Sequence, residues 1–259
     1  SGLGLGAGDL MFWPASDLSD EDILHRLRFI PLATSFRSTY AYDNILYSVA
    51  GLLLKQVGGR PWEEVMRARF FGPLGMADSL PGSKFLKADT DVATPHAPAE
   101  GKLVALPQDP FNNNAPAGAI LSSAEDLSKW VRALLAQGDL GQGQRLFSAT
   151  QARTLETPLT LLPLRPREGP LKEALPTLAA YAMGLGVRDY RGTRLVGHTG
   201  GLAGMVSRVT LLPEHKLGVV VLTNAEVTEA FDAITHTVLD HYLNAPPKDW
   251  VAAYAEVKA

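Results

Sequence analysis

Gly197-His198-Thr199-Gly200-Gly201-Leu202-Ala203-Gly204 lies between two apolar segments near the C-terminal end of the chain. A histidine, a hydroxyl residue and two glycines lead into the alternating run Met205-Val206-Ser207-Arg208-Val209-Thr210-Leu211, the pattern of a half-buried strand. Glycine inside a strand marks a place where another backbone or a ligand comes close. Taken alone, the stretch reads more often as a structural histidine beside a turn. Its neighbours decide the matter.

Alternation continues on both sides. Ala182 to Val187 and Thr193 to Val196 predict one hairpin. Met205 to Leu212 and Leu217 to Leu222 predict a second, joined through Pro213-Glu214-His215-Lys216. All four strands are expected in one antiparallel sheet. Asn224 to Leu243 then has helical period, with Val227, Phe231, Ile234, Val238 and Leu239 expected to face the sheet. Pro246-Pro247 breaks it, and another helix starts near Trp250.

The N-terminal part reads as helices and loops. Ser19-Asp20-Glu21-Asp22 has capping-box spacing ahead of Ile23, Leu24 and Leu27. A second helix carries Ile45, Leu46, Val49, Ala50, Leu53, Leu54 and Val57 on a broad apolar face and stops at Gly58-Gly59. Pro61 opens a third, running through Phe70 to Gly72-Pro73. From Pro81 to Pro116 there is little periodicity and much Pro, Asp and Asn, including Asn112-Asn113-Asn114; this is either the wall of a cleft or a surface crossover. Ser123-Ala124-Glu125-Asp126 is another capping box, and a further helix is expected from Ser148. Helices first, with an antiparallel sheet and covering helix last, give an α+β fold. The expected division is a mainly helical region over 1–180, the sheet and its helix over 181–245, and a linker or the start of a following segment over 246–259.

Composition narrows the function. The 259 residues are 46% hydrophobic and carry a net charge of −3, with no block of like charge, which argues against a nucleic-acid or membrane-binding surface. No stretch approaches the roughly 20 apolar residues of a membrane span. Cysteine is absent, so thiol nucleophiles, disulfides and thiolate metal sites are excluded. The six histidines are scattered; the closest pair, His236 and His241, points to different helix faces, and neither metal nor other cofactor is expected. Neither a G-x-S-x-G elbow nor a P-loop occurs.

Tyr42-Asp43-Asn44 stands at a helix entrance, and His198-Thr199-Gly200 stands on a predicted strand. Together they resemble two of the three signature elements of the serine β-lactamase and penicillin-binding-protein superfamily, in particular its class C and esterase-like branch. Family-like phrases follow in the same order: Phe71-Gly72-Pro73-Leu74-Gly75-Met76, the stretch from Pro116 to Leu127, Gly184-Leu185-Gly186-Val187 and Leu222-Thr223-Asn224. The resemblance covers Ser1 to about Leu243 and implies a β-lactamase/transpeptidase-like fold.

The remaining signature element, Ser-x-x-Lys, is absent: no lysine of the chain has a serine three positions before it. The expectation is therefore a C-terminal portion of such a protein, without the nucleophile segment and the first strands, and inactive alone. In an intact enzyme the resemblance implies a serine that forms an acyl-enzyme with an ester, amide, peptide or β-lactam carbonyl. Tyr42 would assist proton transfer, with its phenol pKa lowered by cations, and Asn44 would bind the acyl-side carbonyl. Thr199 and Gly200 would contact substrate, and the Gly201 N–H would complete an oxyanion hole. His198, where a lysine would be a permanent cation, has a reference pKa of about 6.5 and favours ester, amide or peptide substrates. The alternative is a non-catalytic relative that binds a peptide or cell-wall fragment. Expected partners are a small-molecule or peptide substrate, together with the missing N-terminal segment or a second copy at an exposed sheet edge. The family's habit implies a periplasmic or secreted location, although no signal peptide is present.

Overall fold

A computed structural model describes residues 1–108 and 113–258, and of Lys258 only the backbone. Residues 109–112, part of the connection expected either to wall a cleft or to cross the surface, lie outside the described residues. The chain forms two compact units, Ser1–Asp91 with Asp109–Asp126, and Val92–Gln108 with Leu127–Ala259. The sequence-based division at 180 follows the change from helical to alternating pattern and differs from this packing division.

In the first unit, α1 (Asp20–Leu27) starts as expected at Ser19, whose Oγ accepts from Asp22 N–H while the Asp22 carboxylate accepts from Ser19 N–H. Helix α2 (Ile45–Gly58) ends at Gly59, in the left-handed conformation. Its buried stripe is Ile45, Ser48 and Gly51, with Ser48 Oγ 3.0 Å from Asp20 Oδ1 and 2.7 Å from Asn114 Oδ1. The broad apolar face expected of α2 is not covered: Leu53 is 61% and Val57 80% exposed. A small polar stripe is preferred because α5 (Ala115–Gly118) crosses so close that a Cβ on Gly51 would meet Pro116 Cγ at 2.5 Å. The third helix runs further than its Gly-Pro suggests: α3 (Trp62–Met66) passes through a π turn (Arg67–Phe71) into α4 (Gly72–Leu74), and Gly75 ends it. Pro73 falls in the first turn of α4, where its missing N–H costs nothing.

In the second unit, the supposedly aperiodic connection contains a hairpin, β1 (His96–Ala99) with β2 (Lys102–Ala105), turned by Glu100 and Gly101 at positive φ. Pro98 inside β1 hides it, a residue tolerated there because the ribbon has only two strands. Helix α6 (Ala124–Leu135) follows, then the ribbon β3 (Asp139–Gly141) with β4 (Gln144–Arg145), and α7 (Ala149–Glu156) capped by Ser148. The main sheet is an antiparallel meander of six neighbouring strands: β5 (Thr160–Leu161), β6 (Ala179–Tyr181), β7 (Gly186–Tyr190), β8 (Thr193–Leu202), β9 (Met205–Leu212) and β10 (Leu217–Thr223). The first predicted hairpin is misplaced. Residues 182–185 turn between β6 and β7, and the β7–β8 hairpin closes at Arg191-Gly192, both at positive φ.

Helix α6 covers one face of the sheet, with Val131 and Leu134 against Val187, Val196 and Leu211. Helix α8 (Thr228–Tyr242) covers the other, with Phe231 and Leu239 against Tyr190, Leu195, Val206 and Leu212. Ile234, expected to face the sheet, is exposed, and His236 and Asp240 are buried instead. The reason is α9 (Trp250–Lys258), the helix expected to start near Trp250, which packs on α8 through Trp250, 1% exposed, with Ala253 and Tyr254.

Asp240 joins these elements. Its carboxylate accepts from Tyr190 Oη at 2.5 Å, from Arg191 at 2.6 and 2.8 Å and from Trp250 Nε1 at 2.9 Å. Asp240→Ala leaves a half-buried guanidinium and two buried donors unpaired, and is expected to cost about 3 kcal/mol in urea unfolding. His236 lies between the rings of Tyr190, Trp250 and Tyr254, at 5.1, 4.9 and 5.9 Å. Burial, then the charges of Arg188 and Arg208, push its pKa down to about 2. The folded state therefore holds His236 neutral while the unfolded state takes up a proton below pH ~6.5. Its contribution is intact above that pH and declines as pH falls towards 2, by about 1.4 kcal/mol per unit. His236→Gln is expected to flatten this slope between pH 6 and 4 in urea titrations.

Candidate active-site residues

Tyr42 and Asn44 lie in the first unit, at the entrance of α2. The N-terminal turn holds this entrance: Gly6 N–H donates to Tyr42 O at 2.9 Å, and Ala7 N–H to Asp43 Oδ1 at 3.0 Å. Asp43 is buried, and desolvation raises its carboxyl pKa against the lowering pull of the Ala7 N–H. The Tyr42 phenol is also pushed up, first by burial and then by Tyr47, Tyr40 and Asp9. This is opposite in direction to the lowered pKa that general-base work implies. Asn44 occupies the N-cap position, yet its side chain makes no capping bond. The Asp9 carboxyl lies near it, with a pKa raised by burial and pulled back by the Asn44 side chain. Asp9 was not singled out in the sequence, because a lone acid in a glycine-rich coil carries no pattern.

His198, Thr199, Gly200 and Gly201 lie in the second unit, on β8. That strand pairs with β9 along Val196 to Leu202, but with β7 only as far as Gly197 opposite Gly186. From Thr199 to Leu202 the other edge of β8 pairs with no strand among the described residues, and Thr199, Gly200 and Gly201 are exposed. Alternate backbone N–H and C=O groups there are available to a ligand that lies alongside as an added strand. The glycines fix this geometry. A Cβ on Gly197 would collide with the Val209 carbonyl oxygen, so only glycine lets β8 lie this close to β9.

The far end of β8 is pinned at Gly204. Its φ is +77°, and a Cβ there would meet His96 N at 2.7 Å. Gly204 N–H donates to Glu226 Oε2 at 3.1 Å, and His96 N–H donates to Gly204 O at 3.0 Å. Asn224, from the phrase Leu222-Thr223-Asn224, donates through Nδ2 to Thr94 O at 2.9 Å and so ties the end of β10 to the same segment.

His198 is oriented by two bonds. Its Nδ1 lies 2.5 Å from Thr199 O, and its Nε2 lies 2.9 Å from Tyr181 Oη. A carbonyl only accepts, so Nδ1 carries the hydrogen, and in the neutral ring Nε2 accepts from the Tyr181 hydroxyl. The rings meet edge to face, with centroids 6.1 Å apart. Tyr181 escaped the sequence reading because it is seventeen residues from His198 and becomes its neighbour only through the β6–β7–β8 meander.

The beta-lactamase family model matches residues 1–243. An unguisins hydrolase from Aspergillus violaceofuscus is 29% identical over 263 residues, covering 92% of this chain and 44% of its own length. The chain thus spans less than half of the curated relatives it first matches. Among solved structures, an octameric penicillin-binding protein homologue from Pyrococcus abyssi superposes with a TM-score of 0.78 at 23% identity, covering 95% of this chain and 54% of that one. A D-amino acid amidase from Ochrobactrum anthropi SV3 gives 0.66 at 19% identity, covering 100% and 70%. Both structures show likeness of fold.

Tyr181→Phe keeps the ring contact and removes the hydroxyl. In ¹⁵N-histidine NMR at pH 8, His198 of the unsubstituted chain is expected as the Nδ1–H tautomer, and the variant is expected to gain Nε2–H. An unchanged tautomer would show that the Thr199 carbonyl alone sets it.

Proposed function

Since the chain belongs to the beta-lactamase family, we propose that its residues serve a serine hydrolase that works through an acyl-enzyme. The observation that carries this reading is the edge of β8 from Thr199 to Leu202, which pairs with no strand among the described residues and has exposed glycines at 200 and 201. Such an edge takes an extended acyl group by strand addition, and glycine allows the approach. The nucleophile is assigned to a Ser-x-x-Lys segment, which the 259 residues do not contain. Its serine attacks the carbonyl, the leaving amine or alcohol departs with a proton, and water then cleaves the acyl-enzyme.

Tyr42 is assigned proton transfer. Because burial raises its phenol pKa here, that role requires a nearby cation, for which the lysine of Ser-x-x-Lys is the natural source. Asn44 is assigned the acyl-side carbonyl; its side chain lies near the Asp9 carboxyl. The Gly201 N–H is assigned to the oxyanion, where one donor is worth about 3 kcal/mol. The His198–Tyr181 pair offers a hydroxyl and an imidazole in place of a fixed cation, which favours amides, esters and peptides over substrates that need a carboxylate clamp. The hydrolase name of the Aspergillus relative and the amidase title of the Ochrobactrum structure support this substrate range.

The absence of Ser-x-x-Lys from these residues favours a second reading, a protein that binds a peptide or cell-wall fragment along the same edge without cleaving it. A periplasmic or secreted setting and association through an exposed sheet edge belong to the proposal; the Pyrococcus homologue is described as octameric.

Incubation of the chain with a fluorophosphonate or a penicillin is expected to give no mass increase, and a stoichiometric adduct on one of its own serines would overturn the assignment of the nucleophile. In a longer protein that joins these residues to a Ser-x-x-Lys segment, Tyr42→Phe is expected to lower kcat/KM by roughly 10²–10⁴. Peptide binding without any adduct in that protein would favour the second reading.

A further inference from the structure

Arg188 is a largely desolvated cation that forms no ion pair among the described residues. It stands on β7 two residues before Tyr190, and so on the face of the sheet that α8 covers. Its Nη2 is sealed from solvent and has no hydrogen-bond partner among the described residues. Burial pushes the guanidinium pKa down, and the groups that act on it are the Tyr254 and Tyr190 phenols and then Asp189. Asp189 is already committed, accepting from Thr177 N–H and Leu178 N–H at 2.7 Å each.

The other acids of this layer are also in use. Asp232 pairs with Arg208, whose charge lies close enough to Arg188 for each to disfavour the other, and Asp240 is held by Arg191, Tyr190 and Trp250. His236 adds a second unused group. Its Nδ1 meets Tyr254 Oη at 2.9 Å, while its Nε2 is buried and has no partner. When the phenol donates to Nδ1, Nε2–H is a donor facing the same positive layer.

A buried guanidinium is ordinarily matched by a carboxylate, whose two oxygens fit the fork of N–H groups. An unmatched one is among the most unfavourable groups a folded protein can hold. We propose that Arg188, with the Nε2–H of His236, forms a binding site for a single carboxylate between the sheet and α8. The carboxylate is either free in solution or borne on a polypeptide segment outside these residues. The site is separate from the exposed edge of β8 and does not depend on the hydrolase reading.

Thermal unfolding of the chain with acetate replacing chloride at constant ionic strength tests the proposal. Acetate is expected to raise the Tm by about 2 °C or more and to leave Arg188→Met unchanged. Because that variant might not fold, the His236 ring signals of the unsubstituted chain give a second readout, with a saturable shift of Nε2 expected on acetate addition. Equal Tm responses in chain and variant, or no response of the Tm and of Nε2, would overturn the site. In a longer polypeptide that contains these residues, loss of the acetate response together with a lowered Tm for Arg188→Met identifies a protein-borne carboxylate. A persisting acetate response identifies a free one.

Discussion

Strand β8 lies where it does because positions 197 and 204 carry no side chain. At Gly197 the Val209 carbonyl occupies the volume of a Cβ, and at Gly204 the backbone of His96 does the same while φ is +77°. These two contacts bring β8 against β9 and anchor its far end to β1. Between them the strand runs past the end of β7, so that among the described residues no strand pairs with its other edge from Thr199 to Leu202. The stretch proposed to receive substrate is thus an ordinary strand made accessible by the shortness of its neighbour. The chemistry assigned to it depends on that difference in length.

The polar interior of the second unit follows a different logic. One carboxylate, Asp240, collects a phenol, a guanidinium and an indole from three elements and so sets how α9 and the β7–β8 turn meet α8. Arg208 is neutralised by Asp232 in the same layer. Arg188 has no such partner among the described residues, and its Nη2 is left without a hydrogen bond. A sheet packed by apolar contacts alone would not hold such a group, and it draws attention to the side of the sheet away from α6.

Much of the architecture was legible because local chemistry and long-range packing agreed. Ser19 and Ser148 cap helices as their spacing suggests, and the β9–β10 hairpin falls where alternation places it. Where the two diverged, the sequence pattern misled. The apolar residues of α2 at 53, 54 and 57 suggested a buried face, yet the helix buries Ser48 and Gly51 because α5 passes too close for anything larger. Ile234 has the right period to face the sheet, but α9 and the buried His236 and Asp240 turn α8 about its axis. The β1–β2 hairpin was hidden by Pro98, which a two-stranded ribbon tolerates.

The sequence by itself determined the order of elements, the family and the identity of the glycine-rich strand, because helix caps, alternation and short motifs are local properties of the chain. Tertiary structure decided which groups those residues meet. Tyr181 reaches His198 across a meander, Asn44 lies close to Asp9 and makes no capping bond to the helix it precedes, and Arg188 is desolvated beside two phenols. Hydrogen bonds and charges act over a few ångströms in space whatever the separation in sequence, so a proton's place on His198 or the set of groups around Arg188 is fixed only when the strands are side by side.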